Sequence, residues 1–219
     1  MTMATAPMTD PRAVQILTAW FSPAYPVGAF SFSHGLEAAV AAGTVTGRAA
    51  LHDWTADLLA FGAGRSDAIL LCRAWHAEDP APVAEIAEAL SPSAERHLET
   101  MAQGAAFART TSAAWGIDVP AMAYPVAVGH AARLLGLPLD PLVTLFLQAF
   151  AANIVSAGVR LIPLGQTDGQ RITAALLPLA AEIAAEAMGA DPEDFGGVAL
   201  GADLASMLHE TMETRLFRS

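Results

Sequence analysis

The chain of 219 residues carries a formal charge of −11, with 22 acidic residues against 11 basic ones, and contains no lysine. Without lysine a P-loop is excluded, and without a basic patch the chain offers nothing to neutralise nucleic-acid phosphates. A single cysteine, Cys72, rules out an intrachain disulfide, and the 54% hydrophobic content, much of it alanine, points to helices packed closely around a sizeable core.

Residues 1–10 have no basic leader followed by an apolar run, so they read as a disordered lead-in rather than a secretory signal. Pro11 to Phe21 has helical periodicity, with Val14, Leu17 and Phe21 on one side. The next stretch, FSPAYPVGAFSFSHGLE (21–37), reads as a loop from Pro23, Pro26 and Gly28. It nevertheless carries Phe21, Tyr25, Phe30 and Phe32, whereas connecting segments are normally polar. It is therefore expected to fold back under the helices, with its rim, Phe30 included, on an assembly surface.

His34 to Ala42 reads as the second helix, with Ser33 or His34 at its N-cap, Glu37 in its first turn and Gly43 at its end. Arg48–Phe61 and Ser66–Ala77 follow, split by GAGR, and then a short helix over Val83–Leu90. Ser91 and Pro92 suit the start of a helix running to Trp115 and stopped by Gly116. Met122–Leu135 is closed by Gly136, and LPLDP leads into an apolar helix over 142–161. IPLGQTDGQ reads as a second unusual loop. Thr173–Met188 follows, with Pro178 inside it, and Ala202 to Arg215 is the last helix.

No alternating β-branched run is bounded by hairpin turns, and no fixed repeat or linker divides the chain. The expected fold class is all-α: a single-domain irregular bundle over 11–219, built around the helix at 142–161. That helix is uncharged from Leu142 to Val159, long enough to raise the question of a membrane span. Gln148, Asn153 and Ser156 interrupt it and Arg160 closes it, which favours a helix buried by its neighbours and no membrane.

Three constellations bear on chemistry. Ser31, Ser33 and His34, with Asp53 further on, allow a small serine hydrolase using Ser33 and His34, but no Gly-x-Ser-x-Gly follows a strand. Cys72/His76 and His209/Glu213 stand at i, i+4 spacing, but two ligands do not close a metal site. The end of the chain keeps an apolar stripe, Leu204, Leu208, Met212 and Leu216, and then places Arg215, Phe217 and Arg218 together. This tail, 209–219, reads as a docking segment.

SPAYPVGAFSFSHGLEAAVAAGTV (22–45) resembles the N-terminal signature of the urease accessory protein F (UreF) family. NIVSAGVRLIPLGQTDGQ (153–170) and HETMETRLFRS (209–219) are similar to its second and C-terminal signatures. The resemblance implies an all-α, non-enzymatic, cytoplasmic chaperone. It would form a homodimer, bind accessory protein D (H in some organisms) and recruit the GTPase accessory protein G. The assembly would dock on apo-urease for nickel insertion. It further implies that Arg160 lies on the GTPase-facing surface, with Gln166 and Asp168 as partner-binding residues in the same signature loop, and that Arg215, Phe217 and Arg218 order on binding the D protein. No stably bound cofactor is implied and nickel would pass transiently. His34, Cys72, His76 and His209 are weak candidates for exchangeable ligands, His34 first because it lies inside a signature.

Overall fold

A computed structural model gives the fold over residues 10–191 and 194–218, and among these it holds ten α-helices, one 3₁₀ turn and no strand. The expected lead-in over 1–10 lies outside the described residues except for Asp10, whose carboxylate caps α1 (Pro11–Trp20) by accepting from the Arg12 N–H at 3.0 Å. The central helix is α8 (Leu139–Leu161). Its Leu142, Phe146, Leu147, Ile154 and Val155 are buried among α9 (Gln166–Gly189), α4 (Ala63–His76), α3 (Arg48–Ala60) and α2 (Leu36–Ala41). Both α8 and α9 are long and apolar enough to cross a membrane, and 50% of the apolar window of α8 is buried inside the bundle. α6 (Ala94–Trp115) and α7 (Tyr124–Leu134) pack together on the α4 side, with the short α5 (Ala81–Ala89) beside them. The last helix, α10 (Leu200–His209), lies across α2 and α6.

The all-α bundle around an apolar helix is as expected, but several boundaries move, each for a local reason. α2 begins at Leu36, because His34 (φ 54°) and Gly35 (φ 74°) are both left-handed and cannot be helical. Ser33 still serves the helix start, its Oγ accepting from the Glu37 N–H at 3.4 Å. α4 starts at Ala63, so most of GAGR is helix. α6 is capped by Ser93, whose Oγ accepts from the Arg96 N–H at 3.1 Å, and not by Ser91. α9 starts at Gln166, so Gln166 and Asp168 stand in a first helical turn and not in a loop. α10 ends at His209, and the chain from 210 to 218 folds back without helix, so the stripe from Leu204 to Leu216 is not one helical face.

Candidate functional site

The aromatic loop is packed inward. Tyr25 lies on Phe107 and Trp115, and its hydroxyl bonds Thr111 Oγ1 at 2.7 Å. Phe21 meets Phe146 edge-on, and Phe32 is fully buried. Only Phe30, in the 3₁₀ turn Ala29–Ser31, stands out, with 69% of its surface exposed.

The tail closes over this loop. Its anchor is His209, fully buried at the end of α10. The imidazole Nδ1 lies 2.8 Å from Glu95 Oε2 and Nε2 lies 3.0 Å from Glu37 Oε2. Ionised carboxylates only accept, so a ring that fills both bonds donates from both nitrogens. The same two carboxylates hold the chain beyond. Glu37 accepts from the Leu216 N–H at 2.7 Å and the Phe217 N–H at 2.9 Å, and Glu95 accepts from Arg215 Nη1 at 2.8 Å. Burial works to raise the Glu37 carboxyl, but the bonds from His209 and from the Leu216 and Phe217 amides outweigh it and hold it below the usual range.

Phe217 is buried at 4% exposure, and the Arg160 guanidinium stands 4.3 Å from its ring centroid. Arg160 Nη2 also donates to the Phe30 carbonyl at 2.7 Å. The Arg218 N–H donates to the Ser31 carbonyl at 2.8 Å, and its guanidinium lies over Phe32. Phe30, Arg160, Phe217 and Arg218 are thus brought into one site where loop, α8 and tail meet, while Arg215 is held on α6 by Glu95. The tail is seated on its own chain. Because Arg160 ties all three segments, Arg160→Ala should free residues 215–218 first. Limited proteolysis is expected to cut that variant near the terminus several times faster than the parent; equal cutting rates would contradict the tie.

Gln166 and Asp168 are not part of this site. Asp168 pairs with Arg171 at 3.1 Å and with Arg48 at 3.8 Å on the first turn of α9. The metal candidates are also scattered. Cys72 is buried on α4, and burial pushes its thiol up to about 12, which leaves it unreactive. His76 stacks edge-on against Trp75, His34 Nε2 is bound to Glu99 Oε1 at 2.9 Å, and His209 is taken by its two carboxylates. Glu213 lies beyond the end of α10, so the helical spacing from His209 is lost. Among the described residues no group of three His, Cys, Asp or Glu is set to hold a metal ion.

The hydrolase alternative is not assembled either. Ser33 is fully buried, His34 turns to Glu99, and Asp53 is exposed against His52. A catalytic triad needs nucleophile, base and orienting acid within mutual reach of a substrate.

Behind the tail lies a second buried cluster that the sequence did not single out. Arg96 sits between Glu99, which it contacts directly, and Asp67 Oδ2 at 3.7 Å, and Gln103 Nε2 donates to Glu99 Oε1 at 2.8 Å. Burial raises the Glu99 carboxyl, but Arg96 and then His34 pull it down to about 2. Asp67 goes the other way: burial, opposed by Arg96 and reinforced by the Glu99 charge, raises it to about 6. Glu95 and Glu99 stand at i, i+4 on α6 with Arg96 beside them. That is an ordinary pattern for an exposed helix face, which is why it gave no signal.

Over residues 45–177 the chain matches the family model described as UreF. It is 54% identical over 207 residues to the urease accessory protein UreF of Cereibacter sphaeroides, covering 94% of this chain and 99% of that one. It is 47% identical over 205 residues to the protein of the same name from Roseobacter denitrificans, covering 93% of this chain and 92% of the relative. The match to the one from Rhodopseudomonas palustris is 48% over 228 residues, covering 97% and 95%. The chain belongs to the UreF family.

Proposed function

We propose that this chain is a urease maturation factor that works as a non-enzymatic, cytoplasmic scaffold. It dimerises, binds the D/H accessory protein and recruits the GTPase accessory protein G, and the assembly delivers nickel to apo-urease. Nickel is cargo in this reading and not a resident cofactor. The observation that carries it is the concentration of exposed apolar side chains at the C-terminal end. Leu200, Leu204, Met207, Leu208 and Leu216 are all exposed on or just beyond α10. A patch of this kind is unfavourable in a free monomer and marks an interaction surface. Glu210 and Glu213 are exposed beside it, so the D/H partner should present an apolar surface with a basic rim.

Deleting residues 210–219 removes Leu216 and the seated Phe217 and releases Glu37 and Glu95 from the tail. Affinity for the D/H protein, measured by calorimetry, should fall by at least about a hundredfold, the scale of losing a hot-spot side chain together with the segment that positions it. Leu208→Asp, an exposed position that the fold does not use, should weaken binding at least about tenfold with an unchanged melting temperature. Full affinity in both variants would refute this placement of the partner.

A further inference from the structure

We propose that the cluster of buried His34, Arg96 and Glu99 with half-buried Asp67 is a proton-operated lock on the seating of α10, with Asp67 as the group that takes up the proton. The argument starts from the count of charges. A single guanidinium, Arg96, faces the carboxylates of Glu99 and Asp67, and Asp203 of α10 adds a third negative charge within its field. Glu99 holds the close contact, leaving Asp67 at 3.7 Å with its side chain only 16% exposed. The cluster therefore carries surplus negative charge where water is scarce, and a proton on Asp67 relieves it.

α10 is the wall of this site. Asp67, Arg96, Asp203 and Ser206 line a cavity of about 60 Å³, so α10 closes it from one side. The α10 backbone also lies directly on the His34–Gly35 turn, where a Cβ added at Gly35 would stand 2.6 Å from Ser206 N and 2.9 Å from Ala202 O. Lifting α10 would open Asp67 more fully to water. The open form then favours the carboxylate and the closed form favours the acid.

The direction of the pH dependence follows. The carboxyl of Asp67 titrates near 6 in the closed form, against 3.8 for the free side chain. Seating is strongest below the free value, weakens as pH rises toward 6, and changes no further above it. His34 does not take the proton, because burial and then the Arg96 charge lower it despite Glu99. Asp203, on α10 beside the same cavity, is also raised by burial, opposed by Arg96, and Tyr124, in the field of Asp67, is pushed up by burial. The remaining charged contacts to α10 and the turn after it are Glu37 and Glu95 on His209, and Glu210 on the Ala94 N–H at 2.9 Å. This inference does not depend on which partners the chain binds.

Amide hydrogen exchange of the full chain, corrected for intrinsic rates, tests it at roughly pH 5 and roughly pH 8. Peptides of α10 should exchange faster than those of α8, and their protection should fall about tenfold between the two conditions. In Asp67→Asn that fall should vanish. Retention of the fall in Asp67→Asn would assign it to another group, such as Asp203 of α10, and overturn the lock. So would α10 protection equal to that of α8 at both conditions, since α10 would then open only with the whole molecule. If Asp67→Asn does not fold, carboxyl-carbon NMR titration of Asp67 in the parent decides: a midpoint near 6 supports the lock, and one near the free value contradicts it.

Discussion

Replacing Glu99 by alanine is expected to destabilise the protein by about 3–5 kcal/mol, the usual consequence of stripping one partner from a buried ion pair. Glu99 is buried and receives Arg96, His34 and Gln103. Alanine leaves Arg96 inside the bundle without its close carboxylate, with His34 Nε2 at 3.3 Å, Asp67 at 3.7 Å and the more distant Asp203 charge. The protonation behaviour of Glu99 leads to a similar figure. Its folded value of about 2 lies below the free value of 4.5, so the carboxylate contributes stability above 4.5 that is lost as pH falls through 2. That gap corresponds to about 3 kcal/mol. Urea unfolding at neutral pH should show a lower midpoint with an unchanged slope. A loss under about 1 kcal/mol would mean that the cluster does not bind Glu99 as the geometry indicates.

Gly35→Ala should be nearly as damaging, for a different reason. Gly35 has φ 74°, and a Cβ there would stand 2.6 Å from Ser206 N and 2.9 Å from Ala202 O. The left-handed backbone alone costs an alanine about 1–2 kcal/mol. The clash is with main chain, so α10 itself must move, and with it His209 and the seated tail. A total loss of about 3 kcal/mol is expected, concentrated in α10 and the tail. Gly28→Ala is the control: φ is 78° there too, but nothing lies within 4 Å of the added carbon. It should show only the backbone term. Equal melting temperatures for the two variants would show that α10 does not rest on Gly35.

The parts of this fold that could be read in the sequence are those set by local chemistry. The stop of α6 at Gly116, with φ 67°, and the apolar body of α8 follow from one residue type and one periodicity. Helix starts were harder. Gly169 within polar neighbours looks like loop, yet α9 runs through it packed close on α8, where a Cβ would stand 2.9 Å from the Val159 side chain. The end of α10 was misjudged because the stripe from Leu204 to Leu216 has helical spacing. The amides of Leu216 and Phe217 bond instead to Glu37, 179 and 180 residues away. No local pattern reports such a partner.

The site divides in the same way. Phe30, Arg160, Phe217 and Arg218 stand out in the sequence within three separate signatures, but their contacts with one another within the chain come only from the fold. Glu37 was visible only as a first-turn acid, and Glu95 only as one of several helix carboxylates. Both matter because the fold brings His209 between them.

The central claim, that this chain is an assembly scaffold, is tested most directly by co-purifying it with its cognate D/H and G accessory proteins. The mass of the product would be measured by light scattering with and without GTP and nickel. A stoichiometric complex containing all three proteins is the predicted result. Elution of the chain free of both partners under every condition would contradict the account.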